Sequence, residues 1–128
     1  MEMKTKLWLW APAFLWAALL FFLSSIPDIP TPDALPKMSD KAAHVIAYIP
    51  LGFFIIRALI RGQAKGSDQK LSIWAQGLGS LYGISDEIHQ YFVPGRMADV
   101  FDAGADAVGI FIGVSLFFVL KSLGFRFV

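Results

Sequence analysis

The chain has 128 residues, of which 56% are hydrophobic and 16% are charged. Soluble domains carry about 25% charged residues, so this composition favours a membrane protein with a single domain over residues 1–128. The net charge of +1 comes without a basic stripe and argues against a nucleic-acid partner. The absence of cysteine excludes disulfides, thiol catalysis and thiolate metal sites.

The first predicted element is a transmembrane helix over residues 7–26, which contain no charged side chain. At about 1.5 Å per residue this helix spans roughly 30 Å, the thickness of the hydrocarbon core. Lys4 and Lys6 before it also fit a cleaved signal peptide. The apolar run is long for a signal peptide, contains Trp16 and shows no cleavage motif, so we expect a retained helix.

Three further helices are predicted over residues 42–60, 71–93 and 102–120, and their connections differ in composition. The first connection is rich in proline, which favours an extended loop. Pro50 lies inside the second helix and should kink it. The sequence therefore predicts an all-α fold, an integral membrane four-helix bundle.

The distribution of basic residues predicts the orientation of this bundle, because cytoplasmic loops are enriched in Lys and Arg. With both termini cytoplasmic, the outer side carries only Lys37, Lys41 and Arg96. The cytoplasmic side then carries Lys4, Lys6, Arg57, Arg61, Lys65, Lys70, Lys121 and Arg126. We therefore expect both termini in the cytoplasm and the polar residues described next on the extracytoplasmic side.

Polar residues recur at helical spacing in the second predicted helix. Asp40, His44 and Tyr48 are four residues apart and share one face, with Lys41 beside them. Asp40 also fits a helix N-cap, because its carboxylate can accept from the orphan N–H groups of the first turn. Ionisable groups at membrane depth are costly, so this face is a candidate functional surface.

The third predicted helix carries a matching face formed by Tyr82, Asp86 and Gln90. His89 follows Asp86 by three residues, a spacing at which a carboxylate can orient an imidazole and raise its basicity. We expect His89 to share the side of Asp86. Glu87 should point partly away, toward the headgroup region of the membrane.

A turn at Pro94-Gly95 should aim Arg96 back over the helix ends. The planar guanidinium of arginine suits a phosphate or a carboxylate. Arg96 could equally neutralise the acids around it, and the two roles are compatible.

In the fourth predicted helix, Asp99, Asp102 and Asp106 share one face, which Gly109 and Gly113 continue. A Gly-x-x-x-Gly spacing lets membrane helices pack closely. The third helix offers the same spacing at residues 79–83. We expect these glycines to serve packing, which would draw the polar faces together.

These segments resemble the VanZ-like family of small bacterial membrane proteins, over most of the chain from residue 39 to residue 113. The resemblance lies in SDKAAHVIAY (39–48), YGISDEIHQYFVPGR (82–96) and DVFDAGADAVG (99–109). The family pattern maps onto Asp40, Lys41, His44, Asp86, Glu87, Gln90, Arg96 and Asp102. The family commonly has Asn where this chain has Asp106, which adds an acid. The resemblance implies a bacterial plasma-membrane protein, and the family is named for an accessory factor of teicoplanin resistance.

The first functional hypothesis is an enzyme or binder acting on an anionic envelope component, a phospholipid or a lipid-linked cell-wall precursor. In this hypothesis His44 or His89 acts as general acid or base, and Asp86 and Asp40 orient the imidazoles. The predicted substrate-binding residues are Arg96, Lys41, Tyr48, Tyr82, Glu87, Gln90, Asp99 and Asp102.

The second hypothesis is a non-enzymatic protein that binds lipid or a partner protein and uses the polar residues as a structural network. A transporter ranks last, because transporter sites lie near the bilayer midplane and four helices would need a homo-oligomer. His44, His89, Asp40 and Asp86 could also hold a divalent ion. Hydrogen bonding explains the same residues, so we expect neither metal nor cofactor.

Overall fold

The computed structural model describes residues 2–27 and 38–126, and the side chains of residues 38–40 lie outside that description. The described chain forms four helices: α1 (Met3–Ser25), α2 (Met38–Arg61), α3 (Asp68–Tyr91) and α4 (Val100–Ser122). The predicted all-α class is confirmed. The proline-rich connection over residues 28–37 and the side chain of Asp40 fall outside the described part.

Three of the helices, α1, α2 from Lys41 onward, and α4, are long and apolar enough to cross a membrane. Helix α3 is equally long but carries Asp68 and Lys70 near its start and a pair of acids near its end, which lowers its hydropathy. Large apolar side chains cover the outside of the bundle, whereas carboxylates lie buried inside it. Soluble proteins usually keep carboxylates at the surface, so this distribution suits a lipid environment, in which polar groups must find partners within the protein.

Helices α2 and α4 form the most extensive contact in the bundle, and glycines allow it. A Cβ atom on Gly113 would overlap the carbonyl oxygen of Ile49 and lie 2.7 Å from the backbone nitrogen of Phe53. A Cβ on Gly83 of α3 would lie 3.0 Å from the Cβ of Asp106 on α4. The predicted packing role of the glycines is therefore confirmed, and it brings the polar faces of three helices together.

Helix α1 packs on α2 and α3 and, among the described residues, does not contact α4. The indole nitrogen of Trp16 donates to the carbonyl oxygen of Ala47 at 2.8 Å. The hydroxyl of Tyr82 donates to the carbonyl oxygen of Ala17 at 2.5 Å. These bonds fix α1 against the face of the bundle that carries Tyr48 and Asp86.

Candidate functional site

The polar residues gather at one end of the bundle, where α1 and α3 end and α2 and α4 begin; we call it the polar end. At this end an ion pair joins Lys41 of α2 to Asp99, just before α4, with 2.7 Å between Nζ and Oδ2. The opposite end is joined by Lys121 of α4 and Asp68 of α3 at 3.1 Å. The antiparallel order of the helices thus separates the polar end from both described chain ends.

Lys41 binds two carboxylates of the chain itself. Its ammonium contacts the Oδ2 of Asp99 and, more closely, the Oδ1 of Asp102. The hydrogen bond from Lys41, followed by that from the backbone N–H of Phe101, lowers the pKa of Asp99 below its usual value. Lys41 was predicted to help hold a substrate anion, and the structure places it where it neutralises the start of α4.

His44 lies between two acids of α4. Its Nδ1 is 2.8 Å from the Oδ1 of Asp106, and its Nε2 is 3.6 Å from the Oδ2 of Asp102. Asp106 is fully buried, and its Oδ2 has no hydrogen-bond partner in the described chain. Sequence reasoning gave Asp106 no role, although its spacing from Asp102 already placed it on the polar face.

Asp86 joins the polar faces of α2 and α3. Its Oδ2 accepts hydrogen bonds from the hydroxyl of Tyr48 at 3.1 Å and from the Nε2 of Gln90 at 3.2 Å. The rings of Tyr48 and Tyr82 lie 6.2 Å apart, in contact across the same helix pair. All four of these residues were predicted as site residues from their spacing, and the structure brings them together.

Glu87 is buried, with 6% of its surface exposed, so the expectation that it faces the headgroup region is wrong. Its Oε2 accepts from the backbone N–H of Asp99 at 3.0 Å. The chain entering α4 crosses over the end of α3 and covers this carboxylate. The spacing of residues within α3 could not predict the burial of Glu87, because the segment that covers it lies outside that helix.

The structure does not bring His89 to Asp86, as the three-residue spacing had suggested. The imidazole stacks on Phe21 with ring centroids 4.4 Å apart, and its nitrogens lie 3.4 Å from the hydroxyls of Ser24 and Ser25. Side chains three residues apart on an α-helix point in directions that differ by about 60° around the helix axis. That rotation suffices here to turn His89 toward α1, while Asp86 faces α2.

Arg96 is held by the end of α1. Gly95 has a φ of 77°, which supports the predicted turn. The Nε of Arg96 then donates to the carbonyl of Ile26 at 3.1 Å, and its Nη2 donates to the carbonyl of Leu23 at 3.2 Å. The carbonyl of Leu23 also accepts from the backbone N–H of Ile26, so Arg96 adds a second hydrogen bond at the end of α1. The two bonds from Arg96 leave its Nη1 without a hydrogen-bond partner among the described residues.

A cavity of about 190 Å³ opens between α1, α2 and α3 at the polar end. One wall is apolar and the other carries the polar residues described above. Its lining consists of Leu20, Leu23, Ser24, Ala43, His44, Ala47, Tyr48, Asp86, Gln90 and Arg96. Sequence analysis missed the contribution of α1, because its apolar residues look no different from those that face lipid.

Comparison with known proteins gives one result. A family model described as VanZ/LLP1 matches residues 9–121, nearly the whole chain. Neither a curated protein nor a solved structure matches the chain. The match includes α1, which contributed nothing to the resemblance seen in the sequence.

Proposed function

Since the chain belongs to the VanZ/LLP1 family, we propose that it is a bacterial plasma-membrane protein whose polar end binds an anionic envelope component. The ligand in this proposal is the headgroup of a phospholipid or of a lipid-linked cell-wall precursor. The observation that carries the proposal is Arg96, which lines the cavity and whose Nη1 has no hydrogen-bond partner in the described part of the chain.

The size and lining of the cavity support a headgroup as the ligand. Small-molecule pockets typically measure about 300–1,000 Å³, and this cavity of about 190 Å³ is smaller. It has room for a phosphate and its nearest substituents, while acyl chains would stay in the bilayer. Leu20 and Leu23 line the cavity from α1 and, in this proposal, contact the first carbons of such chains.

Arg96, rather than Lys41, is the anion anchor in this proposal, because the ammonium of Lys41 already binds two carboxylates. The α1 carbonyls hold Arg96 at Nε and Nη2, which fixes the plane of the guanidinium in advance. A preorganised cation loses less entropy when it binds an anion. Tyr48 and Gln90 donate to Asp86 and so offset its charge in the same cavity.

The contacts remove one predicted acid–base pair and keep another. Asp86 is held by Tyr48 and Gln90, and His89 lies against α1, so these two residues do not form an acid–base pair. His44 lines the cavity and lies 2.8 Å from Asp106, so it is the general base in the enzymatic alternative. A site at one end of the bundle also differs from the midplane site expected of a transporter.

The proposal includes the orientation that the basic residues predict. Both termini lie in the cytoplasm, α3 spans the membrane with the other helices, and the polar end faces outward. An outward-facing headgroup site gives access to envelope lipids. From the family resemblance alone, we also propose a link to glycopeptide susceptibility: producing the protein in a susceptible bacterium should raise resistance to teicoplanin.

Lipid binding by purified protein tests the proposal. Titration with short-chain phosphatidylglycerol, compared with phosphatidylcholine, should show preference for the anionic lipid. Arg96→Lys keeps the charge and loses the planar fork. A hydrogen bond to a charged group contributes about 1.5–3 kcal/mol, so affinity should fall about 10- to 100-fold.

Arg61→Lys is the matched control, because Arg61 lies at the opposite end of the bundle, where it donates to the carbonyl of Arg126. Its affinity for phosphatidylglycerol should equal that of the unmodified protein. Full affinity in Arg96→Lys, or an equal loss in both variants, would contradict the assignment of Arg96 as the anchor.

A further inference from the structure

Three side chains from three helices converge in the interior of the polar end. His44 of α2, Glu87 of α3 and Asp106 of α4 each place one potential ligand atom within 4.8 Å of the other two. Glu87 is 6% exposed and Asp106 is fully buried. The sequence led us to expect no metal, and of the residues it offered as possible ligands only His44 belongs to this cluster.

The two carboxylates of this cluster carry unsatisfied oxygen atoms. Glu87 Oε1 and Asp106 Oδ2 are buried without a hydrogen-bond partner in the described chain. Burying a carboxylate is costly unless it is paired or coordinates a metal. Of the four such buried atoms in the described chain, two belong to this one cluster, where a bound cation would satisfy both.

Among the described residues, the only basic side chain paired with either acid is the imidazole of His44, which contacts Asp106. The described part of the chain contains no ion pair from Lys or Arg to Glu87 or Asp106. The ammonium of Lys41, on the same helix as His44, already contacts Asp99 and Asp102. A small cation bound between the three helices would supply the missing positive charge.

We infer that His44, Glu87 and Asp106 form a binding site for a divalent transition-metal ion of the Zn²⁺ or Mn²⁺ type. Imidazole favours Zn²⁺ and its neighbours, whereas carboxylates also suit Mn²⁺. In a tetrahedral site with bonds of about 2.1 Å, two ligand atoms lie about 3.4 Å apart. His44 Nδ1 and Asp106 Oδ1 lie 2.8 Å apart in a hydrogen bond, so the ion would replace the shared proton and widen this pair slightly.

The ion would link α2, α3 and α4 at the polar end. The longer separations in the cluster, up to 4.8 Å, require a small inward movement of the carboxylates on binding. Three protein ligands leave coordination positions for water. His44 also lines the cavity. The ion can bind without lipid, so a titration with metal alone tests this site separately from headgroup binding.

The test uses full-length protein purified in detergent, stripped with a chelator and titrated with Mn²⁺ or Zn²⁺ in the absence of lipid. Elemental analysis should find one ion per chain, and the ion should raise the unfolding temperature. Glu87→Gln and Asp106→Asn keep acceptors for the Asp99 N–H and for His44. Each should weaken binding by at least the roughly 10- to 100-fold that changes around a metal site cost.

Asp68→Asn is the matched control, since it removes one acid from α3, the helix of Glu87, but lies at the opposite end of the bundle and outside the cluster. It should keep both the stoichiometry and the thermal shift. Should one cluster variant fail to fold, the other carries the comparison. Unmodified protein that binds neither ion overturns the inference. So does an equal loss of binding in Asp68→Asn and the cluster variants.

Discussion

The hydrogen bond between Tyr48 and Asp86 gives a quantitative test of the polar network. Both residues are buried, with 2% and 6% of their surfaces exposed, and the hydroxyl donates to the carboxylate at 3.1 Å. Tyr48→Phe removes the hydroxyl and keeps the ring that contacts Tyr82. A hydrogen bond to a charged acceptor contributes about 1.5–3 kcal/mol, so the free energy of unfolding should fall by about that amount.

Tyr82→Phe is the comparison, because the Tyr82 hydroxyl donates to a neutral carbonyl, that of Ala17. Neutral hydrogen bonds between membrane helices contribute about 0.6 kcal/mol on average. Tyr48→Phe should therefore cost at least about 1 kcal/mol more than Tyr82→Phe. Reversible unfolding in mixed micelles of increasing SDS content measures both values. Equal costs would refute the reasoning, since Asp86 would then accept no more strongly than a peptide carbonyl.

Other expected outcomes follow from the packing, the orientation and the Lys41 contacts. Gly113→Val forces a side chain into the backbone of α2 and should lower the free energy of unfolding by about 1–3 kcal/mol in the same assay. A Cβ on Gly104 meets open space, so Gly104→Ala should not destabilise the protein. An impermeant thiol reagent on intact cells should label Met97→Cys and spare Gln69→Cys; reversed labelling would contradict the outward-facing polar end. The lowered pKa of Asp99 stabilises the fold above the ordinary carboxyl pKa of about 3.9, and this contribution is lost as pH falls through the lower folded value. Asp99→Asn should therefore have a lower free energy of unfolding than the unmodified protein near neutral pH. This difference should disappear once the pH falls below the folded-state pKa of Asp99.

The sequence predicted the helices well because their signals are local. Apolar runs, the Pro94-Gly95 turn and the polar connection after α2 each occur within a few residues of the boundary they mark. Residues four apart on one helix also behaved as expected: Tyr82, Asp86 and Gln90 share a face. These properties depend on helix geometry alone.

The partners of the site residues could not be predicted, because they depend on how each helix is rotated against its neighbours. Lys41 contacts Asp99 at the start of α4, and His89 contacts Ser24 of α1. Asp106 sits at the centre of the buried acids because Gly83 lets α3 approach α4 there. The spacing within one helix identifies a shared face but not what that face meets.

The contact between Arg96 and a lipid phosphate is the claim that most needs a direct measurement. Protein labelled with ¹⁵N-arginine and placed in phosphatidylglycerol vesicles can be examined by solid-state NMR for ³¹P dephasing of its guanidinium signals. The chain has three other arginines for reference, Arg57, Arg61 and Arg126. We expect Arg96→Lys to remove a strongly dephased guanidinium signal and to leave the others unchanged. Dephasing that is the same with and without Arg96 would show that no phosphate sits at the polar end.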